Sequence, residues 1–387
     1  MRVLHVSAYF APAMQYGGPP ASILGLCQSL QRAGVEVEAV TTTANGRDSL
    51  PPSPSSGDVY EGVPVRYVAR AFPARFFGAR LQAPLTAALS RVDVCHIHGI
   101  WHVPEWRAAH LARQAGVPYV VSPRGMLQPQ AMERGRWRKA AAYTLLERRN
   151  LRGAALLHAT SEQEADAIRD LDLDVPIAVV PNGVNLEDAC QAPRGYLERL
   201  GIPADAFIVL FLGRMHRIKR LDLLADAFAD VRLTHPAVHL VLAGPDEQRL
   251  VPDLLRRFAG DADHVHALGA VHGADKWSLL KDADVMVQCS DSESFGLAVV
   301  ESLAAGVPVI ATRTCPWSEI ETRGCGFWVD QVAPAIAAAI RTLADDPVRR
   351  ACMSARGVAF ARDRYSWDAI APRMASLYAD LTGSPSA

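Results

Sequence analysis

The feature that most constrains this chain is a repeated alternation of short apolar, β-branched runs with longer stretches of helical periodicity. In the first half the runs cover residues 3–9, 35–42, 63–68, 92–98, 119–122, 155–159 and 177–180. The series starts again at 207–212 and continues with 238–243, 265–268, 285–289, 307–311 and 326–329. This alternation is typical of βαβ units around a parallel sheet. Two series therefore predict two doubly wound α/β domains.

A polar stretch that opens with Pro-Asn-Gly-Val at 181–184 separates the two series. We predict a first domain over 1–187 and a second over 188–365. The tail, 366–387, has apolar residues at helical spacing and is predicted as a helix that needs an apolar surface to cover. A proline- and serine-rich run, 51–57, is predicted as a short exposed loop.

Composition excludes several classes of protein. At about 150 residues per domain, 387 residues make roughly two or three domains. The formal net charge of -1 argues against a nucleic-acid partner. The seven cysteines form no CxxC pair, which argues against a zinc finger or a disulfide framework. The first apolar run is too short for a secretion signal, and no run is long enough to span a membrane, so we expect a cytoplasmic protein with reduced thiols.

Ligands of open α/β sheets bind beyond the carboxyl ends of the strands, so each junction from strand to helix is a candidate site. The first junction carries Gly17 and Gly18 ahead of an apolar-periodic helix. Glycines let backbone N–H groups approach an anion at a helix start. The pair predicts a phosphate contact, and a plain turn is the alternative.

A second junction follows the first strand of the second domain. Gly213 and Arg214 come directly after this strand, and Lys219 lies five residues beyond Arg214. A planar guanidinium fork and a compact ammonium group together suit the neutralisation of a leaving diphosphate. The alternative is a solvated basic turn that also includes Arg217 and Arg220.

A third junction, SDSESFGLAVVE, follows the run that ends near residue 289 and holds Glu293 and Glu301 eight positions apart. With a helix beginning near Gly296, Glu301 lies about one turn inside it and Glu293 stays in the loop. The amides around Phe295, Gly296 and Leu297 can then hold a phosphate, while Glu301 accepts hydrogen bonds from vicinal sugar hydroxyls. The alternative is that one glutamate only interacts favourably with the helix dipole at the N-terminus and that the other is solvated.

Two histidines and an arginine mark the strand ends of the first domain. Period two places His96 and His98 on one side of a strand. A metal site needs a third ligand, and none has convincing spacing, so we expect no metal. We predict that neutral His98 donates to a substrate hydroxyl, and a packed core histidine is the alternative for His96. Arg124 is predicted to bind an acceptor phosphate, with a salt-bridged loop arginine as the alternative.

A basic segment, ERGRWRKAAAYTLLERRNLR at 133–152, has seven cations against two carboxylates, a local charge of +5. Trp137, Tyr143, Leu145 and Leu146 are interleaved with the cations. This composition suits peripheral contact with an anionic membrane. The alternative is a solvated helix that packs its apolar side on the first domain.

Taken together, these segments resemble the retaining glycosyltransferases of the GT-B fold, specifically family 4 of bacterial polysaccharide and lipid-linked sugar assembly. The resemblance covers nearly the whole chain. It is carried by the glycine pair at 17–18, HisIleHisGly at 96–99, SerProArgGlyMetLeu at 122–127, ProAsnGlyVal at 181–184, Gly213-Arg214 with Lys219, and Glu293 with Glu301. The segment at 122–127 is similar to the members that build exopolysaccharides.

The resemblance implies two Rossmann-like domains that face each other across a cleft, with the C-terminal helix crossing back to the first domain. It implies a nucleotide-sugar donor on the second domain and a saccharide or lipid-linked acceptor on the first. Arg214 and Lys219 would neutralise the diphosphate, Glu301 would hold the ribose and Glu293 the transferred sugar. His98 would contact the sugar or acceptor, and no metal or other cofactor would be required. The enzyme would work in the cytoplasm, with the inner membrane face as a candidate location.

This chain departs from the family pattern at two positions, Asn185 and Arg220, where Asp and Gly are common. Rival functions are a nucleotide-sugar epimerase on the same scaffold, a bilobal solute-binding protein and a nicotinamide dehydrogenase. The dehydrogenase lacks a GxGxxG motif after either first strand. A GT-A enzyme would use a metal at an Asp-x-Asp motif, and AspAlaAsp occurs at 261–263 and 282–284.

Overall fold

Every run predicted as a strand forms one, within two residues at either end, in the computed structural model of the chain. This structure describes residues 1–50, 58–70, 79–133, 136–258 and 261–383. The predicted loop at 51–57 lies outside the described residues. The chain divides into unit 1, Met1–Gly183 with Trp367–Ala387, and unit 2, Val184–Ser366. The first cut falls four residues before the predicted one, because Val184 pairs with Ser366 in unit 2.

Unit 1 contains an eight-stranded sheet in the order β10-β9-β8-β7-β1-β2-β6-β5. Its pairings are parallel except for the antiparallel pair β5 and β6. In chain order the strands of unit 1 are β1 (Arg2–Ser7), β2 (Glu36–Thr42), β3 (Ala44–Asn45), β4 (Asp48–Ser49), β5 (Val59–Tyr60), β6 (Val63–Val68), β7 (Val94–His98), β8 (Tyr119–Ser122), β9 (Leu156–Ala159) and β10 (Ile177–Val179). Strands β3 and β4 form a separate short hairpin, which the sequence patterns did not predict.

The helices of unit 1 connect these strands. They are α1 (Gly18–Arg32), α2 (Gln82–Leu89), α3 (Val103–Ala115), α4 (Pro129–Glu133), α5 (Arg136–Ala142), α6 (Arg148–Arg152) and α7 (Glu162–Arg169). A π-helical turn, Tyr143–Glu147, joins α5 to α6. Short 3-10 turns cover Met14–Tyr16 and Ala79–Leu81.

Unit 2 contains a six-stranded parallel sheet in the order β13-β12-β11-β14-β15-β16. Its strands are β11 (Phe207–Leu212), β12 (Val238–Ala243), β13 (Val265–Gly269), β14 (Val285–Gln288), β15 (Val309–Thr312) and β16 (Gly326–Val329). Its helices are α8 (Leu186–Gln191), α9 (Leu221–Arg232), α10 (Val251–Arg257), α11 (Gly273–Asp282), α12 (Leu297–Ala304), α13 (Glu319–Thr322), α14 (Ala333–Asp345) and α15 (Pro347–Tyr365). Three 3-10 turns cover Glu198–Leu200, Arg217–Lys219 and Ala262–His264.

The last helix, α16 (Trp367–Thr382), belongs to unit 1 and packs its apolar face there, as predicted. Ile370, Met374 and Tyr378 are buried in the core cluster that also holds the apolar side of α1. The Trp367 ring lies so close to Gly25 and Gly183 that a Cβ on either glycine would overlap it. These contacts supply the apolar surface that the tail needs.

Two central strands of each unit are buried on both faces, which is why their sequences are continuous apolar runs. Strands β1 and β7 in unit 1 and β11 and β12 in unit 2 are almost completely inaccessible. Such strands direct their carboxyl ends to one edge of the sheet, where polar side chains gather. Among the described residues, no helix combines the length and the apolar character needed to cross a lipid bilayer.

Candidate functional site

In unit 2 the predicted cationic junction forms a tight turn after β11. His216 caps the 3-10 turn that ends at Lys219 by accepting a hydrogen bond from the Ile218 N–H at 3.2 Å. The next residue, Arg220, has a left-handed backbone with a φ of 53°. A glycine adopts this conformation without steric cost, which explains why glycine is common there. Arg220 is held by its guanidinium, which bonds Asp222 and Asp291.

Lys219 and Glu293 meet in this structure, although they are 74 residues apart. The ammonium group donates to Glu293 Oε1, and the two side chains are only 17% and 12% exposed. The same oxygen accepts from Gln288 Nε2 at 2.8 Å and from Ser290 Oγ at 3.2 Å. Because Gln288 and Ser290 lie at the end of β14, the sheet fixes the carboxylate beside the cation. A partly desolvated charge pair of this kind responds strongly to a charged ligand.

Helix α12 begins at Leu297, one residue after Gly296, as the sequence predicted. Gly296 has a φ of 85° and caps the helix. Phe295 is buried against Trp317, with ring centroids 5.2 Å apart, and its carbonyl accepts from the Trp317 indole. The side chain of Phe295 is therefore a packing group. Its neighbouring backbone remains suited to anion binding, since the first N–H groups of a helix lack intrahelical acceptors.

Glu301 lies in the second turn of α12 and forms an ion pair with Lys276 of α11. Lys276 Nζ is 2.8 Å from Glu301 Oε1, and both side chains are mostly buried. The alternative prediction of a solvated glutamate is therefore wrong for Glu301. Lys276 was not among the predicted site residues, because its proximity to Glu301 depends on how α11 and α12 pack.

Arg214 is more exposed than Lys219 and contacts a different carboxylate. Its Nη1 is 3.7 Å from Glu247 Oε2, and both side chains are about half exposed. The turn that carries Arg214 approaches the end of β12 closely, because a Cβ on Gly244 would overlap the Gly213 carbonyl. This approach leaves Arg214 at the rim of the strand ends, where a loose ion pair is readily exchanged for a ligand.

In unit 1, strand register assembles a cluster of buried histidines. His5 of β1 lies directly beside His96 of β7, and His98 follows on the same strand. His5 Nδ1 is 2.8 Å from His98 Nε2, and His96 Nδ1 is 2.6 Å from the Tyr378 hydroxyl of α16. All three rings are at most 2% exposed. Sequence reasoning identified the two histidines of one strand and missed His5, because pairing between β1 and β7 cannot be read from local spacing.

Arg124 lies at the centre of this cluster. Its guanidinium donates to Ser22 Oγ at 3.1 Å, to Asn182 Oδ1 at 2.6 Å and to His98 Nδ1 at 3.0 Å. These partners belong to α1, to the Pro-Asn-Gly-Val segment and to β7. Arg124 is thus hydrogen-bonded within unit 1, and the alternative of a simple salt-bridged loop arginine is wrong. Its role with an acceptor phosphate stays a prediction.

Burial keeps the histidines neutral. It lowers the pKa of His5 and of His158 to about 3, and the Arg124 guanidinium adds to this effect. Burial likewise lowers the pKa of His96 and His98 well below the ordinary value, with neighbouring histidines and Arg124 contributing. The cluster is therefore a set of uncharged hydrogen-bonding groups.

The three histidines His5, His96 and His98 offer ring nitrogens within 4.8 Å of one another, which raises the question of a metal. The arrangement does not fit one. His98 Nδ1 accepts from Arg124, so its Nε2 carries the proton and donates to His5 Nδ1. Neither ring of this pair retains a free lone pair, and a fixed guanidinium repels a divalent cation.

Gly17 and Gly18 form the start of α1. Gly17 has a φ of 81° and caps the helix, and Gly18 is its first residue. The 15-residue helix presents its N-terminus at this point. The assignment of these two glycines to a phosphate remains a prediction.

Both AspAlaAsp motifs are used to hold the fold of unit 2. Asp282 accepts from the backbone of Gly195 and Leu197, each at 2.9 Å, and Asp284 accepts from the Ile208 N–H at 2.8 Å. Asp261 forms an ion pair with Arg232. Neither motif presents two free carboxylates to a metal.

The basic segment of unit 1 has an apolar outer face over part of its length. Trp137 is 79% exposed and Leu145 74% exposed, whereas Glu147 on the opposite side is buried. Burial raises the pKa of Glu147 to about 7, and its carboxylate accepts from the Trp101 N–H at 2.6 Å. Arg134 lies outside the described residues.

Two glycosyltransferase families match successive parts of the chain. Residues 17–183 match the family described as glycosyl transferase 4-like domain, and residues 196–359 match glycosyl transferases group 1. D-inositol 3-phosphate glycosyltransferase of Kineococcus radiotolerans is 30% identical over 423 residues, which cover 97% of this chain and 94% of that protein. The Thermobispora bispora protein of the same name is 32% identical over 413 residues, covering 98% and 94%.

Two solved structures share the fold along the whole chain. Anabaena Alr3699/HepE in complex with UDP and glucose has a TM-score of 0.74 at 20% identity, covering 98% of this chain and 100% of that one. Sucrose-phosphate synthase of Thermosynechococcus elongatus has a TM-score of 0.75 at 20% identity, covering 99% and 100%. At these identities the likeness establishes a common fold.

Proposed function

The chain belongs to the glycosyltransferases of the GT-B fold, and we propose that it transfers a sugar from a nucleotide diphosphate to a saccharide or lipid-linked acceptor with retention of anomeric configuration. The observation that carries the proposal is the set of charged groups at the strand ends of unit 2. Lys219 is held by Glu293 at the ends of β11 and β14, beside the N-terminus of α12.

The donor diphosphate is proposed to bind Lys219, Arg214 and the amides around Gly296. Two cations and a helix N-terminus stabilise charge that grows on the leaving diphosphate. Lys219 then exchanges Glu293 for the phosphate, which frees that carboxylate for the transferred sugar. Glu301, at a mostly buried position in α12, accepts from the ribose hydroxyls.

Retention is proposed through attack on the face from which the diphosphate leaves. Such a reaction needs stabilisation of the leaving group more than a strong protein base. The histidines of unit 1 agree with a reaction that needs no strong protein base, because burial keeps them uncharged and they act as hydrogen-bonding groups. Metal-free catalysis is part of the proposal, supported by the cations already present at the diphosphate position. The product of an α-linked donor should show the α-anomeric signal in NMR spectra.

A donor panel tests the proposal directly. UDP-, GDP- and ADP-sugars are screened for thermal stabilisation, since a ligand that binds the folded state raises its melting temperature. UDP-glucose is the first candidate, because the structural neighbour HepE was solved with UDP-glucose. The donor that binds is then incubated alone and with acceptors. Conversion without an acceptor identifies an epimerase, and no stabilisation by any nucleotide sugar contradicts the proposal.

The acceptor panel combines two classes. Saccharide and lipid-linked acceptors follow from the proposed role in exopolysaccharide or other glycan synthesis. D-inositol 3-phosphate is included because relatives that match nearly the whole chain carry that name. A phosphorylated acceptor turned over much faster than its dephosphorylated form would support the predicted phosphate contact of Arg124.

Peripheral contact with an anionic membrane is proposed for the basic segment. Its exposed Leu145 and Leu146 are followed by exposed Arg148 and Arg149, which places apolar and cationic groups together. Co-sedimentation with phosphatidylglycerol vesicles should weaken in Leu145→Ser and at high salt. Leu233→Ser, at an 83% exposed leucine of unit 2, is the matched control. Binding that ignores lipid charge and salt contradicts the contact.

A further inference from the structure

Arg124 joins three segments of unit 1 that are far apart in sequence. Its Nη1 donates to Ser22 and Asn182, which lie 102 and 58 residues away, and its Nη2 donates to His98 Nδ1. Asn182 belongs to the Pro-Asn-Gly-Val segment, which was predicted to open the stretch between the two domains and was given no site role of its own. The oxygens of Ser22 and Asn182 hold Nη1 of the guanidinium, and Nη2 is thereby directed at Nδ1 of His98.

The chemistry of the two partners fixes the proton on His98. Arginine has only donor groups, so His98 Nδ1 must be the acceptor of this hydrogen bond. A neutral imidazole with a lone pair on Nδ1 carries its proton on Nε2. His98 Nε2 lies 2.8 Å from His5 Nδ1, which agrees with donation from His98 to His5. The order of donation is therefore Arg124 to His98 to His5.

The backbone supports a specific role for Arg124. Its φ of 56° is in the left-handed region, which costs a non-glycine residue about 1 to 2 kcal/mol. The next residue, Gly125, also has a positive φ, and its N–H donates to the buried carboxylate of Glu164. Backbone strain that the surroundings maintain in this way is frequent at functional sites.

We propose that Arg124 is a positioning residue that holds His98 as the neutral tautomer with its proton on Nε2. Nε2 is then the only ring nitrogen of His98 that can donate. It donates to His5 in this structure, and a substrate hydroxyl would compete with His5 for this one proton. The tautomer itself follows from unit 1 alone, whereas the role toward a hydroxyl rests on the proposed function. His98 acts as a donor, and it cannot serve as a base through Nδ1.

Imidazole nitrogen NMR on the ¹⁵N-histidine-labelled full chain tests the tautomer. His98→Gln assigns the resonances. We expect wild-type His98 to show a non-protonated Nδ1 and a protonated Nε2, without titration between pH 6 and 8. A proton on Nδ1 in the wild-type spectrum overturns the proposal, whatever the behaviour of any variant.

The variants test whether Arg124 is the cause. Arg124→Met should lose the single tautomer, and His98 should show exchange between two. Arg113→Met is the matched control, because Arg113 is another partly buried arginine of unit 1 that bonds a tyrosine and an asparagine, Tyr119 and Asn150. If Arg124→Met does not fold, Arg124→Lys takes its place, since it keeps the charge and loses the planar fork. A His98 spectrum unchanged in the folded variant overturns the proposal.

Kinetics connect the tautomer to transfer. With the donor that the panel selects, Arg124→Met should lower kcat roughly tenfold with an unchanged donor KM, about the effect of one lost hydrogen bond. If Arg124→Met shows two tautomers of His98 but has the kcat and KM of the wild type, the role of His98 toward the hydroxyl is overturned. A chain with the predicted tautomer that transfers no sugar contradicts the proposed function and leaves the tautomer assignment supported.

Discussion

The strand ends of the two units differ in the charge of the side chains that gather there. In unit 2 they gather charged groups, Lys219 with Glu293 and Lys276 with Glu301, in pairs that are partly buried. In unit 1 they gather neutral imidazoles around a single guanidinium. The same α/β architecture thus places partly buried ion pairs at the strand ends of one unit and buried, uncharged hydrogen-bonding groups at those of the other. Function lies in the side chains at the strand ends, while the fold provides their placement.

Acidification should separate the two units most strongly. In the folded chain, four histidines of unit 1 have pKa values below 6.5, the ordinary value of an unfolded chain: His5, His96, His98 and His158. Below pH 6.5 the unfolded chain therefore binds more protons than the folded chain, and the free energy of unfolding decreases as the pH is lowered. For His5 and His158 this loss continues down to about pH 3. From pH 6.5 to 5.5 each histidine costs roughly 1 kcal/mol. Glu147 and His102, whose pKa values are raised, act in the opposite direction.

The net loss in unit 1, roughly 2 to 3 kcal/mol, should exceed the loss in unit 2, where burial lowers the pKa of His239 to about 4 and also lowers that of His266. Peptide-level hydrogen exchange at the two pH values compares the units. His5→Asn keeps an acceptor for His98 and removes one titrating ring. It should therefore reduce the number of protons that the chain takes up on unfolding by about one. Equal loss of protection in both units would contradict the contrast.

Replacement of Lys219 by alanine should have the next largest effect. It removes the charge that is proposed to stabilise the leaving diphosphate and leaves Glu293 without its cation, so we expect kcat to fall by roughly 10²- to 10³-fold. Steady-state transfer kinetics measure this. Lys281→Ala is the control, because Lys281 bonds only backbone carbonyls at Cys190 and Ala192 in the described contacts. Unchanged turnover in Lys219→Ala would remove the proposed role.

Glu301→Gln should weaken nucleotide binding by roughly 10- to 100-fold, the range for hydrogen bonds to a charged acceptor. The sharper measurement compares UDP with 2′-deoxy-UDP by calorimetry. The wild type should prefer UDP, and the variant should largely lose this preference. Glu321→Gln, at an exposed glutamate of unit 2, should retain it. An equal preference for UDP over 2′-deoxy-UDP in the wild type and both variants would contradict the assignment of Glu301 to the ribose.

Metal removal should have the smallest effect. Because Asp282 and Asp284 are engaged with backbone amides, Asp261 is paired with Arg232, and the lone pairs of His5 and His98 are occupied, we expect EDTA to leave transfer unchanged. Initial rates before and after chelation, with manganese added back, measure this. A strict manganese requirement would refute metal-free catalysis.

Much of the fold follows from the sequence pattern. Buried parallel strands need continuous apolar runs, and the two series of such runs predicted every strand of both main sheets except the short β5. The short hairpin of β3 and β4 was missed because two-residue strands carry no periodicity. The start of α12 was predicted from Gly296, whose positive φ ends the loop.

The candidate site was predictable only in part. Positions at or after strand ends predicted the site residues, since ligands of such sheets bind at the carboxyl ends. These residues are Arg214, Lys219, Glu293, Glu301 and His98, and their roles stay predictions. Lys276 and His5 were missed because their neighbours are 25 and 93 residues away. Asn182 was predicted to lie in the stretch between the two domains, and nothing local indicated that its amide oxygen accepts from Arg124.

The amino-acid sequence by itself determined the alternation of strands and helices, the two sheets and the junctions that carry charge, because these depend on local periodicity and composition. The tertiary structure decided which charges are paired, which histidines are neutral and which nitrogen of His98 carries the proton. Those properties depend on burial and on contacts between distant segments, and only the packed chain brings such segments within hydrogen-bonding distance.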